Sequence, residues 1–192
     1  SAGTLDHANI LRVYDAGEAD DGQPYIVMEY IKGGETLKTH CDESALLPIS
    51  KVVEMIHKCA KALDYAHRRG VLHRDIKPAN IMLNEEFEPK IGDFGIAQQM
   101  HIESTQLMTA VGSPRYMSPE QATDEKLNGQ TDLYSLGVSL YELLTGRPPF
   151  DANALAALML AITTKDPIPI RSVRQEVPEA LALVVHKALA RD

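Results

Sequence analysis

The chain contains one short stretch, residues 73–80, that reads HRDIKPAN and holds one carboxylate, two cationic side chains and one amide. Apolar, strand-like segments flank it at residues 71–72 and 81–83. A polar loop held between two buried strands has its side chains fixed by the scaffold, and such loops often carry function. We therefore expect the fold to be built around this loop.

A second polar turn, Asp93-Phe94-Gly95, follows eighteen residues after Asp75. Asn80 and Asp93 both offer side-chain oxygens, which are hard ligands suited to Mg²⁺. Lys77 adds a cation close enough to Asp75 to share an anionic ligand. Two oxygen ligands on separate turns, together with a lysine and a further carboxylate, fit metal-assisted phosphoryl transfer. Taken alone, Asp75 could equally be a cap or a salt-bridge partner, and that alternative stays open here.

The remaining pattern predicts a mainly helical body that carries two small hairpins. Ser50 is expected to cap a long helix that Gly70 ends, and the polar, Ser/Thr-rich stretch 96–117 is expected to be a functional or mobile loop. The predicted hairpins are 10–14 with 25–31 and 81–83 with 89–91. The predicted helices begin near 37, span 51–68, 132–145 and 153–162, and start after Pro178.

The helix at 132–145 is apolar nearly all round and is expected to be a core helix that Gly146 caps, and the last helix is expected to have an apolar face that includes Val184 and Val185. His67 is expected to be a cation in the last turn of the helix at 51–68, where positive charge suits the helix dipole. That helix is expected to bury one stripe, formed by Val52, Ile56, Cys59, Leu63 and Ala66.

Composition excludes several classes of protein. The 192 residues suffice for one sizeable domain, and the net charge of −8 argues against bulk nucleic-acid binding. The two cysteines, Cys41 and Cys59, match no metal-binding spacing and are expected to be reduced thiols. The longest apolar run, residues 154–162, is too short for a membrane span. Both ends of the chain read as interrupted helices, so we expect a fragment cut at both ends.

Residues 73–80 and 93–95 resemble the HRD catalytic loop and the DFG loop of eukaryotic-like protein kinases, in particular the bacterial members. Each motif is a weak signal alone, but their order, their spacing and the Ser-Pro-Glu at 118–120 make a specific match that covers the whole chain. The resemblance implies an α+β, protein-kinase-like fold. Residues 1–31 would be an N-lobe remnant, a hairpin with its hinge, and residues 32–192 a truncated, mainly helical C-lobe.

The resemblance implies a protein Ser/Thr kinase that uses ATP and Mg²⁺. Asp75 would orient the substrate hydroxyl and accept its proton, and Lys77 would steady the γ-phosphate. Asn80 and Asp93 would hold the Mg²⁺ ions that bridge the ATP phosphates. Ser113 would be the substrate-facing hydroxyl, where threonine is commoner in the family.

The resemblance also places the nucleotide. Met28 matches the gatekeeper position, while the carbonyl of Glu29 and the backbone of Ile31 would contact adenine as the hinge. Glu35 matches the residue near the ribose, and Met82 belongs to the same ATP site. Any β-hairpin has an apolar strand, so a purely structural role stays open for these positions.

Other matching positions are structural in the family. Asp132 would hold the backbone of the catalytic loop, and Glu120 would pair with Arg191 to anchor the end of the activation segment. The complete set of structural positions is His73, Arg74, Phe94, Glu120, Asp132 and Arg191.

Arg74 immediately before Asp75 resembles kinases whose activation segment is ordered by phosphorylation, since arginine can clamp a phosphate with two hydrogen bonds. Thr105 and Thr109 are the favoured acceptors. Partners would be protein substrates, with self-association for autophosphorylation as an option, and neither nucleic acid nor a membrane segment within this chain. The expected location is the cytoplasm, with a membrane-anchored parent protein as an option.

The sequence lacks two features of the family: a Gly-rich loop and a strand lysine upstream of Ile10. Residues 7–10 match the segment just after the family's C helix, so this departure resembles truncation. We expect the parent protein to be an active kinase and the fragment to transfer little or no phosphate. Two alternatives stay open: a pseudokinase that acts as a scaffold, and a phosphotransferase for small molecules.

Overall fold

The computed structural model describes residues 5–94 and 114–191. Across these residues the elements are five short strands and six α-helices, interspersed with 3-10 turns. The strands form two separate sheets, and the helices pack into one apolar core. The strands are β1 Val13–Glu18, β2 Pro24–Met28, β3 Glu35–Thr36, β4 Ile81–Leu83 and β5 Pro89–Ile91; the helices are α1 Ile49–His67, α2 Pro119–Ala122, α3 Gly129–Thr145, α4 Leu155–Thr164, α5 Ile170–Val173 and α6 Glu179–Ala188.

The first hairpin pairs β1 with β2 in antiparallel register, as the sequence predicts. Gly22, at φ 81°, closes its turn in a conformation that suits glycine. The first strand begins at Val13, not at Ile10 as expected. The reason is that Ile10 bridges to Ile91 and is 2% exposed, so it belongs to the core and not to the hairpin.

The second sheet has the order β3-β4-β5, and both of its pairs are antiparallel. The predicted hairpin of β4 and β5 is confirmed, with Ile81 opposite Ile91. Strand β3 was not predicted, because two residues are too few to show an alternating pattern. This sheet places the candidate site, since β4 starts directly after Asn80 and β5 ends two residues before Asp93.

Helix α1 carries the predicted buried stripe but begins at Ile49, and Ser50 lies inside its first turn. Pro48 is the N-cap, and its carbonyl accepts from the amides of Lys51 and Val52. Proline suits this position because its fixed φ matches a helix start and its missing N–H costs nothing there. The stripe consists of Val52, Ile56, Cys59, Leu63 and Ala66.

Helix α3 is the core helix, buried on almost every side as predicted. It begins three residues earlier than expected, because the side chain of Asn128 accepts a 2.7 Å hydrogen bond from the amide of Gln130 and caps it. Gly146 ends the helix at φ 74°, as predicted. A β-carbon there would lie 2.7 Å from the backbone nitrogen of Glu43, so only glycine fits.

Helices α4, α5 and α6 complete the helical body. Helix α4 is shifted by two residues from its expected start, α5 was not predicted because it has only four residues, and α6 begins after Pro178 as expected. Val184 was expected on the buried face of α6 but is 60% exposed, whereas Val185 is fully buried. Across the described ranges, every helix is too short or too polar to cross a membrane.

Candidate active site

The carboxylate of Asp75 lies at the centre of a compact polar cluster. Lys77 Nζ donates to Asp75 Oδ2 at 2.7 Å, and Asn80 Nδ2 donates to the same oxygen at 3.0 Å. Asn80 Nδ2 also donates to the main-chain oxygen of Asp75 at 2.8 Å. These contacts fix one carboxylate oxygen and leave Oδ1 without a hydrogen bond to any described residue, so Oδ1 can accept a proton.

Local sequence explains why these side chains converge. A 3-10 turn, Pro78–Asn80, begins with proline, and the amide of Asn80 donates to the carbonyl of Lys77 at 2.9 Å. This turn brings Asn80 back over Asp75. Ile76 between the polar residues is fully buried and anchors the loop in the core. The cluster is therefore set by the backbone and not by mobile side chains alone.

His73 connects Asp75 to the turn that carries Asp93. Its Nε2 donates to the carbonyl of Gly92 at 2.6 Å, and its Nδ1 accepts from the amide of Asp75 at 3.2 Å. This pattern defines a neutral imidazole with the proton on Nε2. Burial lowers the pKa of His73, and its ring packs edge-on against Phe94 with centroids 4.7 Å apart. His73 is therefore placed as a structural bridge between the two loops.

Asp132, on α3, lies under the catalytic loop and is completely buried. It accepts from the amides of His73 at 2.9 Å and Arg74 at 2.8 Å, and His67 Nε2 lies 2.7 Å from its Oδ2. Burial alone would raise the pKa of Asp132, but the hydrogen bonds from His67 and the two amides hold it below its ordinary value. The loop backbone is thus tied to the core helix by an ionised carboxylate.

The hydrogen bond from the Arg74 amide to Asp132 also accounts for an unusual backbone conformation at Arg74. Arg74 has φ 70°, a left-handed conformation that is rare outside glycine. The hydrogen bonds of its amide to Asp132 and of its carbonyl to Gln121 Nε2, at 2.8 Å, hold the residue in this state. Strained residues of this kind cluster at functional sites, where the surrounding structure enforces them.

Asp93 lies one residue after Gly92, whose amide donates to the carbonyl of Asn80 at 2.8 Å. Its φ of 60° is a second left-handed conformation at this site. Because Asn80 uses its Nδ2 on Asp75, its Oδ1 is left for another partner. The Asp93 carboxylate makes no hydrogen bond or ion pair with the described residues. One amide oxygen and one carboxylate on neighbouring turns fit Mg²⁺, which prefers oxygen ligands.

The residues that are predicted to form the hinge lie at the end of the first hairpin. Lys90 Nζ donates to both carboxylate oxygens of Glu29, at 2.8 and 3.1 Å, and the amide of Arg12 donates to Oε1 at 2.9 Å. Partial burial opposes ionisation, but these contacts hold the pKa of Glu29 below its ordinary value. The Glu29 side chain is therefore held by Lys90 and Arg12, whereas the predicted adenine contact uses its backbone carbonyl. Within the described ranges, that carbonyl and the amide of Ile31 have no hydrogen-bond partner.

Comparison with known proteins decides the family. The family model described as the protein kinase domain matches residues 2–191. This chain belongs to the protein kinase family. The predicted resemblance and the predicted fold are confirmed.

The kinase domain is similar to serine/threonine-protein kinase PknB of Mycobacterium leprae, at 38% identity over 100% of this chain and 32% of the relative. It is also similar to PknB of Mycolicibacterium smegmatis, at 39% identity over 100% of this chain and 32% of that protein. The crystal structure of the Mycobacterium tuberculosis PknI kinase domain matches with a TM-score of 0.76 and 33% identity, covering 100% of this chain and 67% of that chain. The chain spans about a third of the length of these curated relatives.

The remaining predicted nucleotide contacts differ in their exposure to solvent. Ile31 is 6% exposed and Met28 is 38% exposed, while Met82 is half-buried in β4. Glu35 lies in β3 opposite Leu83, and its side chain is 40% exposed. The contact of each of these positions with a nucleotide stays a prediction.

The segment that contains α2 is joined to the rest of the helical body by side-chain hydrogen bonds. Ser118 and Gln121 form a reciprocal capping box at its start, and the Gln121 side chain also donates to the carbonyl of Arg74. Tyr116 donates its hydroxyl proton to the buried carboxylate of Glu142 on α3, and Ser135 donates to the Tyr116 carbonyl at 2.7 Å. The segment 114–122 is therefore bound to both the catalytic loop and the core helix.

One expected contact is not formed. Glu120 accepts a hydrogen bond from Thr131 Oγ1 at 2.6 Å, and Arg191 pairs with Asp166 at 3.0 Å. The Glu120–Arg191 ion pair, which the family resemblance implied, is absent from the described part of the chain. The guanidinium has nearer acceptors in the carboxylate of Asp166 and the carbonyl of Lys165, and it uses those.

Four positions that the sequence singles out lie outside the described residues: Gly95, Thr105, Thr109 and Ser113. The Arg74 guanidinium, which was expected to bind a phosphate, makes no ion pair with the described residues. The phosphosite and substrate-facing assignments thus stay predictions.

Sequence reasoning missed three residues that hold the site together: His67, Gln121 and Lys90. His67 was interpreted only as a cation at a helix end, although it also contacts Asp132. The S-x-x-Q spacing from Ser118 to Gln121 was a readable capping-box signal. No local signal pairs Lys90 with Glu29, because the two residues are 61 positions apart.

Proposed function

We propose that the full-length protein that carries this kinase domain transfers the γ-phosphate of ATP to Ser or Thr hydroxyls of protein substrates. The observation that supports this most is the joined cluster of Asp75, Lys77 and Asn80, which His73 and Gly92 connect to the turn of Asp93. The relatives named above carry the name serine/threonine-protein kinase.

The family resemblance implies a role for each member of the cluster, and the contacts of each support that role. Asp75 would receive the substrate hydroxyl at Oδ1, orient it toward the phosphate and accept its proton. The Lys77 side chain is only 15% exposed, and its Nζ is held beside Asp75. It would neutralise charge on the transferred group.

Asn80 Oδ1 and the carboxylate of Asp93 would hold Mg²⁺, with the amide orientation of Asn80 set by its two hydrogen bonds to Asp75. When bound, Mg²⁺ neutralises the charge of the ATP phosphates. Met28, Glu29, Ile31, Glu35 and Met82 would form the adenosine part of the same site.

The two-part organisation is part of this proposal. Residues 1–31 would be the N-lobe portion with its hinge, and residues 32–192 the C-lobe portion. Ser113 would face the substrate, and phosphate on Thr105 or Thr109 would be bound by Arg74. Partners would be protein substrates, with a second copy as an option for autophosphorylation.

The cytoplasm is the proposed location, with a membrane-anchored parent protein as an option. The two cysteines, Cys41 and Cys59, are buried free thiols, and burial raises the pKa of each to about 12, so they are unreactive.

Replacing the proposed metal ligand Asn80 by alanine in the full-length protein should lower the transfer rate at least about hundredfold, because charge neutralisation supplies much of this catalysis. The measurement is label transfer from γ-labelled ATP to a Ser/Thr-containing protein at increasing Mg²⁺. Asn153→Ala, outside the site, is the matched control and should leave the rate unchanged. An unaltered rate and Mg²⁺ dependence in Asn80→Ala would reject the metal assignment.

Residues 1–192 alone are expected to transfer little or no phosphate. This chain contains neither the Gly-rich loop nor the strand lysine that the family uses over the phosphates, and a two-stranded hairpin is marginally stable by itself. The same label-transfer assay, run on the 192-residue chain beside the full-length protein, checks this. A rate for the short chain equal to that of the full-length protein would overturn the expectation.

Two other functions compete with the proposal. A pseudokinase that acts as a scaffold would bind partners without transfer, but Asp75, Asn80 and Asp93 are all present. A phosphotransferase for small molecules would not need the segment 114–122 that is bound to the catalytic loop. Transfer to protein hydroxyls distinguishes the proposal from both.

A further inference from the structure

Glu35 is held from one side by the 3-10 turn that follows it, Leu37–His40. We propose that His40 is a positioning residue for Glu35, orienting the carboxylate toward the nucleotide ribose. This inference rests on the proposed function, which assigns Glu35 to the ribose. It adds a residue that neither the motifs nor the catalytic cluster contain.

The proton on His40 can be placed from its contacts. Nδ1 lies 3.1 Å from the carbonyl oxygen of Ala45. A carbonyl oxygen can only accept, so Nδ1 must carry a hydrogen and donate it. The hydrogen bond to Ala45 thus fixes the orientation of the ring, and with it the position of Nε2.

The second nitrogen of His40 faces Glu35. Nε2 is 3.1 Å from Glu35 Oε1, and the imidazole side chain is only 14% exposed. The Nε2 atom itself is buried and has no well-aligned hydrogen-bond partner among the described residues. Since a carboxylate oxygen is also an acceptor, the contact is attractive only when a proton lies between the two atoms. Because Nδ1 already carries a hydrogen, a proton between Nε2 and Glu35 Oε1 would make this contact either an imidazolium–carboxylate ion pair or a hydrogen bond from the carboxyl group.

Thr39 completes the arrangement. Its hydroxyl lies 2.7 Å from Glu35 Oε1 and 2.8 Å from the carbonyl of Thr36. One hydroxyl has one hydrogen, so it can donate to only one of these acceptors at a time. When Thr39 donates to Thr36, His40 is the contact left to orient Glu35. Both contacts use Oε1, which leaves Oε2 for a hydroxyl of the ribose.

The arrangement predicts that His40 affects how the kinase discriminates among nucleotides by their sugar. A carboxylate in a fixed orientation accepts a ribose hydroxyl without first losing side-chain freedom. Without His40, Glu35 would sample other rotamers, and its preference for a ribose with both hydroxyls would fall. The effect should appear in the comparison of ATP with 2′-deoxy-ATP, not in the chemistry at Asp75.

Two substitutions separate the two contacts of His40 in the full-length protein. Asparagine places an amide near the position of Nδ1, so His40→Asn keeps a donor for Ala45 and loses the contact with Glu35. Glutamine places an amide near the position of Nε2, so His40→Gln keeps a donor for Glu35. His57→Gln, an exposed histidine on α1, is the matched control. The measurement is kcat/KM for ATP divided by kcat/KM for 2′-deoxy-ATP.

We expect His40→Asn to lower this ratio by about threefold or more through KM, the order expected for a weakened hydrogen bond to a charged group. His40→Gln and His57→Gln should keep the wild-type ratio. Glu35→Ala should lose the preference for ATP over 2′-deoxy-ATP. If His40→Asn does not fold, His40→Leu, which fills the same space beside Phe87, takes its place with the same expectation.

An unchanged ratio in a folded His40→Asn or His40→Leu protein would overturn the inference, as would an unchanged ratio in Glu35→Ala. Wild-type protein that transfers no phosphate from either nucleotide would instead reject the proposed function. The two failures are distinguishable because the inference is measured as a ratio within an active enzyme.

Discussion

Asparagine in place of Asp75 is expected to lower the rate of phosphate transfer by the full-length protein about 10²- to 10⁴-fold, the range for loss of a general base. The substitution keeps the shape of the side chain, so the loop should keep its fold. It removes the charge that holds Lys77 Nζ at 2.7 Å and the oxygen that would accept the substrate proton. ATP binding should change far less than the rate, since the contact made by Asp75 is with the substrate hydroxyl.

The measurement is the steady-state rate with a Ser/Thr-containing protein, together with the affinity for ATP in the same preparation. Asp64→Asn is the matched control, because Asp64 lies on α1 in an exposed pair with Arg68 and has no contact with the site. A transfer rate for Asp75→Asn within about twofold of the wild type would remove Asp75 from the mechanism, since general-base loss costs far more.

Alanine in place of Asp132 is expected to destabilise the domain by about 3–5 kcal/mol, the cost of breaking a buried charged contact. The substitution leaves the amides of His73 and Arg74 and the imidazole of His67 without their acceptor. Buried donors that lose their partner keep the full cost of leaving water. Loss of transfer should follow, because the loop that carries Asp75 is no longer fixed to α3.

Urea unfolding of the wild-type protein and Asp132→Ala measures this difference, with Asp64→Ala as the control for an exposed aspartate.

The contribution of Asp132 to stability should also depend on pH in one direction. The folded protein holds the pKa of Asp132 below its ordinary value near 3.8, so the stability it contributes is present above that pH and lost as pH falls through the lower folded value. The difference in the free energy of unfolding between the wild type and Asp132→Ala should therefore become smaller on acidification below about pH 4. Equal free energies of unfolding for the wild type and Asp132→Ala at neutral pH would contradict the role assigned to Asp132.

The parts of the fold that the sequence predicted are those with a local signal. The hairpin of β4 and β5 is bracketed by a polar loop and turn residues, and the stripe on α1 repeats at helical spacing. Gly146 follows a long apolar run and caps α3 as expected. These features depend on neighbours within a few residues, so a single sequence contains the information.

The parts that were wrong or missed depend on distant partners or on very short elements. Strand β3 exists because Glu35 and Thr36 pair with β4, which no local pattern shows. Arg191 was expected to pair with Glu120 but meets Asp166, which lies closer in the folded chain. Helix starts shifted by two or three residues because capping is decided by individual side chains such as Asn128.

The candidate site was predictable only because its residues lie in two motifs. The spacing within residues 73–80 placed Asp75, Lys77 and Asn80 together, and the structure brings them within hydrogen-bond distance. The supports of that site come from elsewhere: His67 from α1, Asp132 from α3 and Gln121 from α2. The family resemblance implied the role of Asp132. His67 and Gln121 have the ordinary chemistry of helix ends and caps, and only the fold shows that they meet at this loop.

The most direct test of the central claim is a map of phosphate acceptors after the full-length protein is incubated with Mg²⁺ and ATP, with and without a protein substrate. The account predicts phosphoserine or phosphothreonine, formed only when Mg²⁺ is present and missing in Asp75→Asn. Phosphate on Thr105 or Thr109 would add support for a switch that acts through Arg74. Nucleotide binding without phosphate on any protein hydroxyl would contradict the account and favour a scaffold.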